Sequence, residues 1–175
     1  SFTNKGKYRI PKFQIWPIPS VKKYEGNPIL SSKEASGAWD ENQAFPATIK
    51  KFGATYYLYY TGIDNTDSRL EGGGIGRIGL ATSYNGYHFE KYEQNPIFER
   101  VIPNSHQPLK IQGMSLVKEP NERYALTYTV WDNDRWIRLE YAIGNSPFGP
   151  FSLGLNNPLI KTSKSQSFDA THIHL

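Results

Sequence analysis

One phrase of sequence, Asn-Pro followed by two apolar residues, occurs three times in this 175-residue chain. The copies stand at 27–30, 95–98 and 157–160, which places them 68 and then 62 residues apart. Interior positions repeat as well: Leu58, Tyr60, Thr61 and Asp64 match Leu126, Tyr128, Thr129 and Asp132. The shorter second spacing arises in one place, the polar Gly-rich stretch 65–77. A constant pattern with one variable loop indicates a structural repeat.

Each copy divides into four short apolar or aromatic runs separated by turn residues, the pattern of β-strands. In the first copy the predicted strands are 46–52, 55–62, 78–83 and 89–92. In the second they are 114–119, 124–131, 136–143 and 151–153. Gly53, Asn85-Gly86, Pro120-Asn121 and 147–149 supply the turns, and Asn85-Gly86 is a strong hairpin signal. We find no sustained helical period, so the chain is predicted to be all-β.

Recurring four-stranded antiparallel sheets are typical of β-propeller blades. The predicted organisation is a basic segment at 1–26, a blade at 27–94, a second blade at 95–156, and the start of a third at 157–175. Tandem sandwiches are the alternative. A closed ring needs at least about four blades, so we expect further blades from the same or another chain, and five blades in the complete ring.

Composition narrows the possible functions. The chain has no cysteine, which excludes disulfides and thiolate metal sites, and no apolar run reaches the roughly 18 residues of a membrane span. Six basic residues lie within the first 23; without a motif to organise them they indicate a solvated segment rather than a nucleic-acid arm. We expect no cofactor, membrane or nucleic-acid partner. The compartment stays open, with secretion or periplasmic export after processing compatible with a start at Ser1.

Sorting the loops by the end of the blade on which they lie separates two rims. The far rim receives the short turns, whereas the near rim receives the longer connections and most polar side chains. Tryptophans beside carboxylates suit sugars, because an aromatic face stacks on a sugar ring and carboxylates bind its hydroxyls. The predicted near-rim substrate contacts are Trp39, Gln43, Trp131 and His172. Asp64 and Asp132 recur at one blade position, which favours turn hydrogen bonding.

The sequence resembles the blades of five-bladed propeller glycosidases, the relatives of glycoside hydrolase families 32, 43, 62, 68, 117 and 130. The resemblance lies in Trp39-Asp40, 45–50, the tyrosine-rich run 56–62, the run 78–86 and Asn95-Pro96-Ile97. It implies hydrolysis of an oligo- or polysaccharide by two carboxylates at the central channel. Pro46, Met114 and Asp169 occupy the three equivalent positions where the innermost strands are predicted to start. Asp169 is therefore one candidate catalytic residue, and Asp40, a few residues ahead of Pro46, is the other.

Two further functions stay open at this point. A glycoside phosphorylase of the same fold would need basic residues at the channel mouth, for which Arg77 and Arg135 are the candidates. A non-catalytic sugar-binding propeller would explain the missing carboxylates at Pro46 and Met114. The stretch 74–79 matches a dinucleotide fingerprint by letter, but a strand follows it where the phosphate site requires a helix. His172 and His174 lack a visible third ligand, so no metal site is predicted.

Overall fold

A computed structural model describes residues 20–32, 37–66, 74–101, 110–131 and 137–161. The elements in these ranges are all β-strands, as predicted, and no helix there is long and apolar enough to cross a membrane. The strands of the first sheet are β1 (Gln43–Phe52), β2 (Thr55–Ile63), β3 (Gly76–Ser83) and β4 (Glu90–Lys91). Those of the second are β5 (Lys110–Lys118), β6 (Tyr124–Trp131), β7 (Ile137–Gly144), β8 (Phe151–Leu153) and β9 (Ile160–Lys161).

Each sheet is an antiparallel meander, β1-β2-β3-β4 and β5-β6-β7-β8, with β9 added to β7. The registers confirm the repeat: Leu58 pairs with Ala81, and Leu126 pairs with Ala142 in the same way. The prediction of two successive four-stranded blades is therefore confirmed.

The innermost strands start earlier than predicted, at Gln43 and Lys110 rather than at Pro46 and Met114. The ladder continues because Gln43 still pairs with Ile63 and Lys110 with Trp131. Both strands carry a bulge, between Pro46 and Thr48 and between Gln112 and Met114. A bulge adds one residue and shifts the alternation of inward and outward side chains. The residues ahead of each bulge are therefore out of phase with the rest of the strand, and the sequence pattern does not show that they belong to it.

The Asn-Pro motif closes the outer side of each blade. The Asn95 side chain accepts a hydrogen bond from Leu80 N at 2.9 Å and donates one to Leu80 O at 2.8 Å. Asn157 makes the same two bonds to Tyr141 N and O, at 2.9 and 2.7 Å. The chain then returns to the third strand of its own blade, through the bridge between Ile78 and Phe98 and through β9. The motif thus ends one blade before the chain continues to the next.

The larger core lies between the two sheets. One face of the first sheet, with Tyr57, Tyr59, Ile78 and Leu80, packs on a face of the second. Members of the core from the second sheet are Ile111, Met114, Leu116, Tyr124, Leu126, Tyr128, Val130, Ala142 and Phe151. Each fully buried apolar side chain contributes about 1.5–3 kcal/mol to the free energy of unfolding. Across the interface, Tyr59 Oη also donates a hydrogen bond to Pro147 O at 2.7 Å. Face-to-face packing of this kind fixes the two blades against each other.

The opposite face of the first sheet carries a smaller core. Leu58, Tyr60 and Ala81 are buried there. The side chains of Ile29, Leu30, Trp39, Ala44 and Phe89 pack against them. The segment that leads into β1 therefore lies flat on this face.

Candidate functional site at the near rim

The near rim is formed by the starts of β1, β3, β5 and β7 and by the ends of β2 and β6. Trp39 and Asp40 lie on the segment that leads into β1, Gln43 is the first residue of β1, and Trp131 is the last residue of β6 on the second blade. Asp169 and His172 lie outside the described residues, as do Asp132 and Arg135. Of the six predicted site residues, three therefore lie at the entry to the first blade, one lies on the second blade and two lie outside the described residues.

Asp40 is completely buried, with 0% of its surface exposed. Its Oδ2 accepts from Lys91 Nζ at 2.5 Å and from Tyr60 Oη at 3.1 Å. Oδ1 has no hydrogen-bond partner among the described residues. Burial, reinforced by the charge of Asp40, raises the pKa of Tyr60, so this hydroxyl stays protonated and acts as a donor. We call Asp40, Tyr60 and Lys91 the first triad.

Trp39 packs against the sheet beside Asp40. Its ring centroid lies 5.6 Å from that of Tyr60. A Cβ built on Gly62 would come within 2.2 Å of the Trp39 ring, and one built on Gly79 within 2.6 Å. Only glycine at these two positions leaves room for the indole. The ring face of Trp39 that is turned toward the sheet therefore packs against the first blade.

Gln43 begins β1 in the first blade, and Trp131 ends β6 in the second. Gln43 is half-buried and pairs with Ile63, the last residue of β2. Trp131 is 36% exposed and pairs with Lys110 and Ile137. Both side chains keep part of their surface open to solvent, as a substrate contact requires, and both remain predictions.

Asp64 closes the loop between β2 and β3. Its Oδ1 accepts from Thr66 Oγ1 at 2.6 Å and from Ile75 N at 3.0 Å, and its Oδ2 accepts from Arg77 at 2.7 Å. Burial alone would raise the pKa of Asp64, but these hydrogen bonds outweigh it and hold the pKa below its ordinary value. The structural role that the repeat indicated for Asp64 is confirmed.

Arg77 is balanced by two carboxylates. Besides the bond to Asp64, its Nε lies 3.3 Å from Glu99 Oε1, and the Arg77 side chain is only 16% exposed. Two carboxylates beside one guanidinium more than compensate its positive charge, so the group as a whole does not attract a phosphate. The described part of the rim thus offers Arg77 as a structural cation.

A further buried carboxylate, Glu140 on β7, was missed from the sequence. It is 1% exposed, its Oε2 accepts from Arg100 Nε at 2.8 Å, and Tyr128 Oη lies 3.4 Å away. The signal available was a lone acidic residue within an apolar strand, which calls for a buried partner. Lys91 was missed too, because nothing in its own neighbourhood in the sequence marks it. We call Arg100, Tyr128 and Glu140 the second triad.

No group of three His, Cys, Asp or Glu side chains in the described ranges is arranged to hold a metal ion. In the described ranges the rim carries the carboxylate of Asp64 paired with Arg77, the half-buried amide of Gln43 and the partly exposed indole of Trp131.

No protein-family model matches the chain, and no curated protein matches it in sequence. Solved structures do match. A glycosyl hydrolase from Bacteroides ovatus aligns with a TM-score of 0.61 and 22% identity, over 75% of this chain and 39% of its own. A second match comes from glycoside hydrolase family 130, a family of mannoside phosphorylases that also contains glycoside hydrolases targeting β-1,2 mannosidic linkages. It aligns with a TM-score of 0.61 and 21% identity, over 75% of this chain and 39% of its own.

A family 32 β-fructofuranosidase from Bombyx mori aligns with a TM-score of 0.57 and 22% identity, over 69% of this chain and 24% of that one. The fold is part of a β-propeller. The resemblance to propeller glycosidases drawn from the sequence is thereby confirmed at the level of the fold. The chain spans about two fifths of the first two structures.

Proposed function

We propose that this chain forms part of the catalytic propeller of a glycoside hydrolase. The observation that supports the proposal is the alignment of three quarters of the chain with a glycosyl hydrolase at a TM-score of 0.61. Because fold alone does not determine function, the polar near rim is the second support. Trp131, Gln43 and the loops between strands offer stacking and hydrogen-bonding groups of the kind that bind an oligo- or polysaccharide.

Hydrolysis requires two carboxylates, about 5–5.5 Å apart for retention and about 6.5–9.5 Å apart for inversion. Asp169 and Asp40 are the proposed pair, with Trp39 and His172 as further substrate contacts. Asp40 is held by Lys91 and Tyr60, so a catalytic role for it requires release from this buried pair. Asp169 is consequently the residue on which the first test should concentrate.

The second candidate is a phosphate-dependent glycoside phosphorylase. It is favoured by the alignment with the family 130 structure. In this reaction phosphate replaces water as the nucleophile, and cationic side chains must hold it. Because Arg77 is already paired with Asp64 and Glu99, Arg135 is the remaining candidate for that role.

The deciding experiment uses the complete propeller that carries this chain. Release of reducing sugar is measured from β-1,2-linked manno-oligosaccharides, sucrose and a panel of other glycosides, with and without inorganic phosphate. Hydrolysis predicts turnover in the absence of phosphate and a loss of about 10³-fold or more in kcat for Asp169→Asn, as expected when a catalytic carboxylate is removed.

The matched control is Lys118→Met, which changes an exposed residue of the far rim and should leave the kinetics unchanged. Turnover that depends strictly on phosphate would support the phosphorylase instead. A protein that binds glycans but cleaves none, with or without Asp169→Asn, would overturn both proposals.

A further inference from the structure

The two triads have the same parts, with the charges exchanged. In each, a tyrosine of the second strand, Tyr60 or Tyr128, hydrogen-bonds a buried carboxylate that is paired with a cation. In the first triad the carboxylate, Asp40, is on the segment leading into the blade, and the cation, Lys91, is on the sheet. In the second triad the cation, Arg100, is on the connecting segment. The two blades therefore share the arrangement, but the carboxylate and the cation have exchanged places between sheet and connecting segment.

The register explains the exchange. Tyr60 pairs with Gly79, and Tyr128 pairs with Glu140 at the equivalent position. In the first blade Gly79 has no side chain, and Trp39 and Asp40 occupy the space beside Tyr60. In the second blade the carboxylate of Glu140 fills that space from the strand itself. Each solution places a buried carboxylate, paired with a cation, beside the tyrosine hydroxyl.

The first triad connects opposite sides of a blade. Lys91 lies on β4, whereas Asp40 lies three residues ahead of β1, and three strand spacings of about 4.8 Å separate the two strands. The segment is also held by its backbone, since Glu41 N donates to Ala38 O at 3.1 Å and Asn42 N donates to Ile63 O at 3.0 Å. Asp40 is thus the side-chain anchor of a segment that leads directly to Gln43.

We propose that the triads are positioning devices that set the connecting segments against each blade, and that the first triad places Gln43 and the near rim for substrate. This inference rests on the proposed function. Here Asp40 acts through the segment it holds and Lys91 is a positioning residue distant from the sugar. That assignment competes with the catalytic role predicted for Asp40, and kinetics separate the two.

The test compares Lys91→Met, Asp40→Asn and the double variant in the complete, active propeller. A positioning role predicts that each single variant raises KM about tenfold with kcat changed less than about twofold, because binding geometry is lost without loss of a reacting group. The double variant should be no worse than the poorer single variant, since both remove one ion pair. Lys91→Arg should restore most of the affinity, and Lys118→Met should behave as wild type.

Hydrogen exchange supplies a readout independent of activity. The amides of Glu41 and Asn42 should exchange faster in Lys91→Met and at the wild-type rate in Lys118→Met. If Lys91→Met does not fold, Tyr60→Phe, which removes only the hydroxyl, provides the same comparison. A wild-type protein inactive on glycosides would refute the proposed function, and exchange would still test the triad. Unchanged exchange and kinetics in Lys91→Met, or a loss of at least about 100-fold in kcat with unchanged KM in Asp40→Asn, would overturn the inference.

Discussion

Replacing Arg100 with methionine should destabilise the protein strongly, because it leaves the carboxylate of Glu140 buried without its main partner. The ion pair joins Arg100 Nε to Glu140 Oε2 at 2.8 Å, and the two side chains are 13% and 2% exposed. Removing one member of a buried pair costs about 3–5 kcal/mol. Arg138 Nε remains 3.8 Å from Glu140 Oε1, so we expect the lower end of that range, about 3 kcal/mol. For a cooperative unit of about 150–250 residues, the corresponding fall in Tm is about 6–12 °C.

The assay is equilibrium unfolding in urea, with thermal unfolding alongside, for the wild type and for Arg100→Met. Arg123→Met is the matched control, because Arg123 Nε lies 3.3 Å from Glu119 Oε2 but the two side chains are 47% and 28% exposed. An exposed pair contributes at most about 1 kcal/mol. Adding Glu140→Leu to Arg100→Met should recover most of the loss, since an apolar replacement of a whole buried pair is often neutral. Equal losses in Arg100→Met and Arg123→Met, or no recovery in the double variant, would refute the argument.

Two further predictions concern the outer strand and the rim loop. Asn95→Ala should lower the free energy of unfolding by about 2 kcal/mol, because Leu80 N loses its acceptor and Leu80 O keeps only the bond from Tyr92 N. Urea unfolding measures this, and a loss below about 0.5 kcal/mol would contradict it. Asp64→Asn should destabilise the protein at pH 7 and progressively less on acidification. The pKa of Asp64 is lower in the folded protein, so its contribution is fully present above the unfolded value of about 3.9 and disappears as the pH falls through the folded value. Urea midpoints of both proteins between pH 7 and pH 3 check this, and a pH-independent difference would count against it.

The blades could be predicted from sequence because their signals are local and occur more than once. Alternating apolar residues indicate each strand, and a match such as Leu58 with Leu126 confirms it in a second context. Six strands have predicted bounds within two residues at each end. The two innermost strands are the exceptions, since the bulges near Pro46 and Gly113 interrupt the alternation.

The site was less predictable for a different reason. Trp39 and Asp40 were selected as near-rim residues by position and chemical type, and both do lie ahead of β1. Their surroundings depend on residues far along the chain: Asp40 meets Lys91, 51 positions away, and Arg100 meets Glu140, 40 positions away. No local pattern encodes such pairs, because they form only when a strand of the folded sheet and a connecting segment distant in sequence come together.

The sequence by itself determined the strand order within each blade, the repeat and the sugar-compatible chemistry of the near rim, since these follow from side-chain period, turn residues and residue type. Tertiary structure decided which polar groups are buried and with what partners. A buried charge without an opposite charge beside it is strongly destabilising, and the partner is supplied by Lys91 in the first blade and by Arg100 in the second. The segment that contacts the first blade thus carries the negative charge of Asp40, whereas the segment that contacts the second carries the positive charge of Arg100. Only the folded structure shows this exchange.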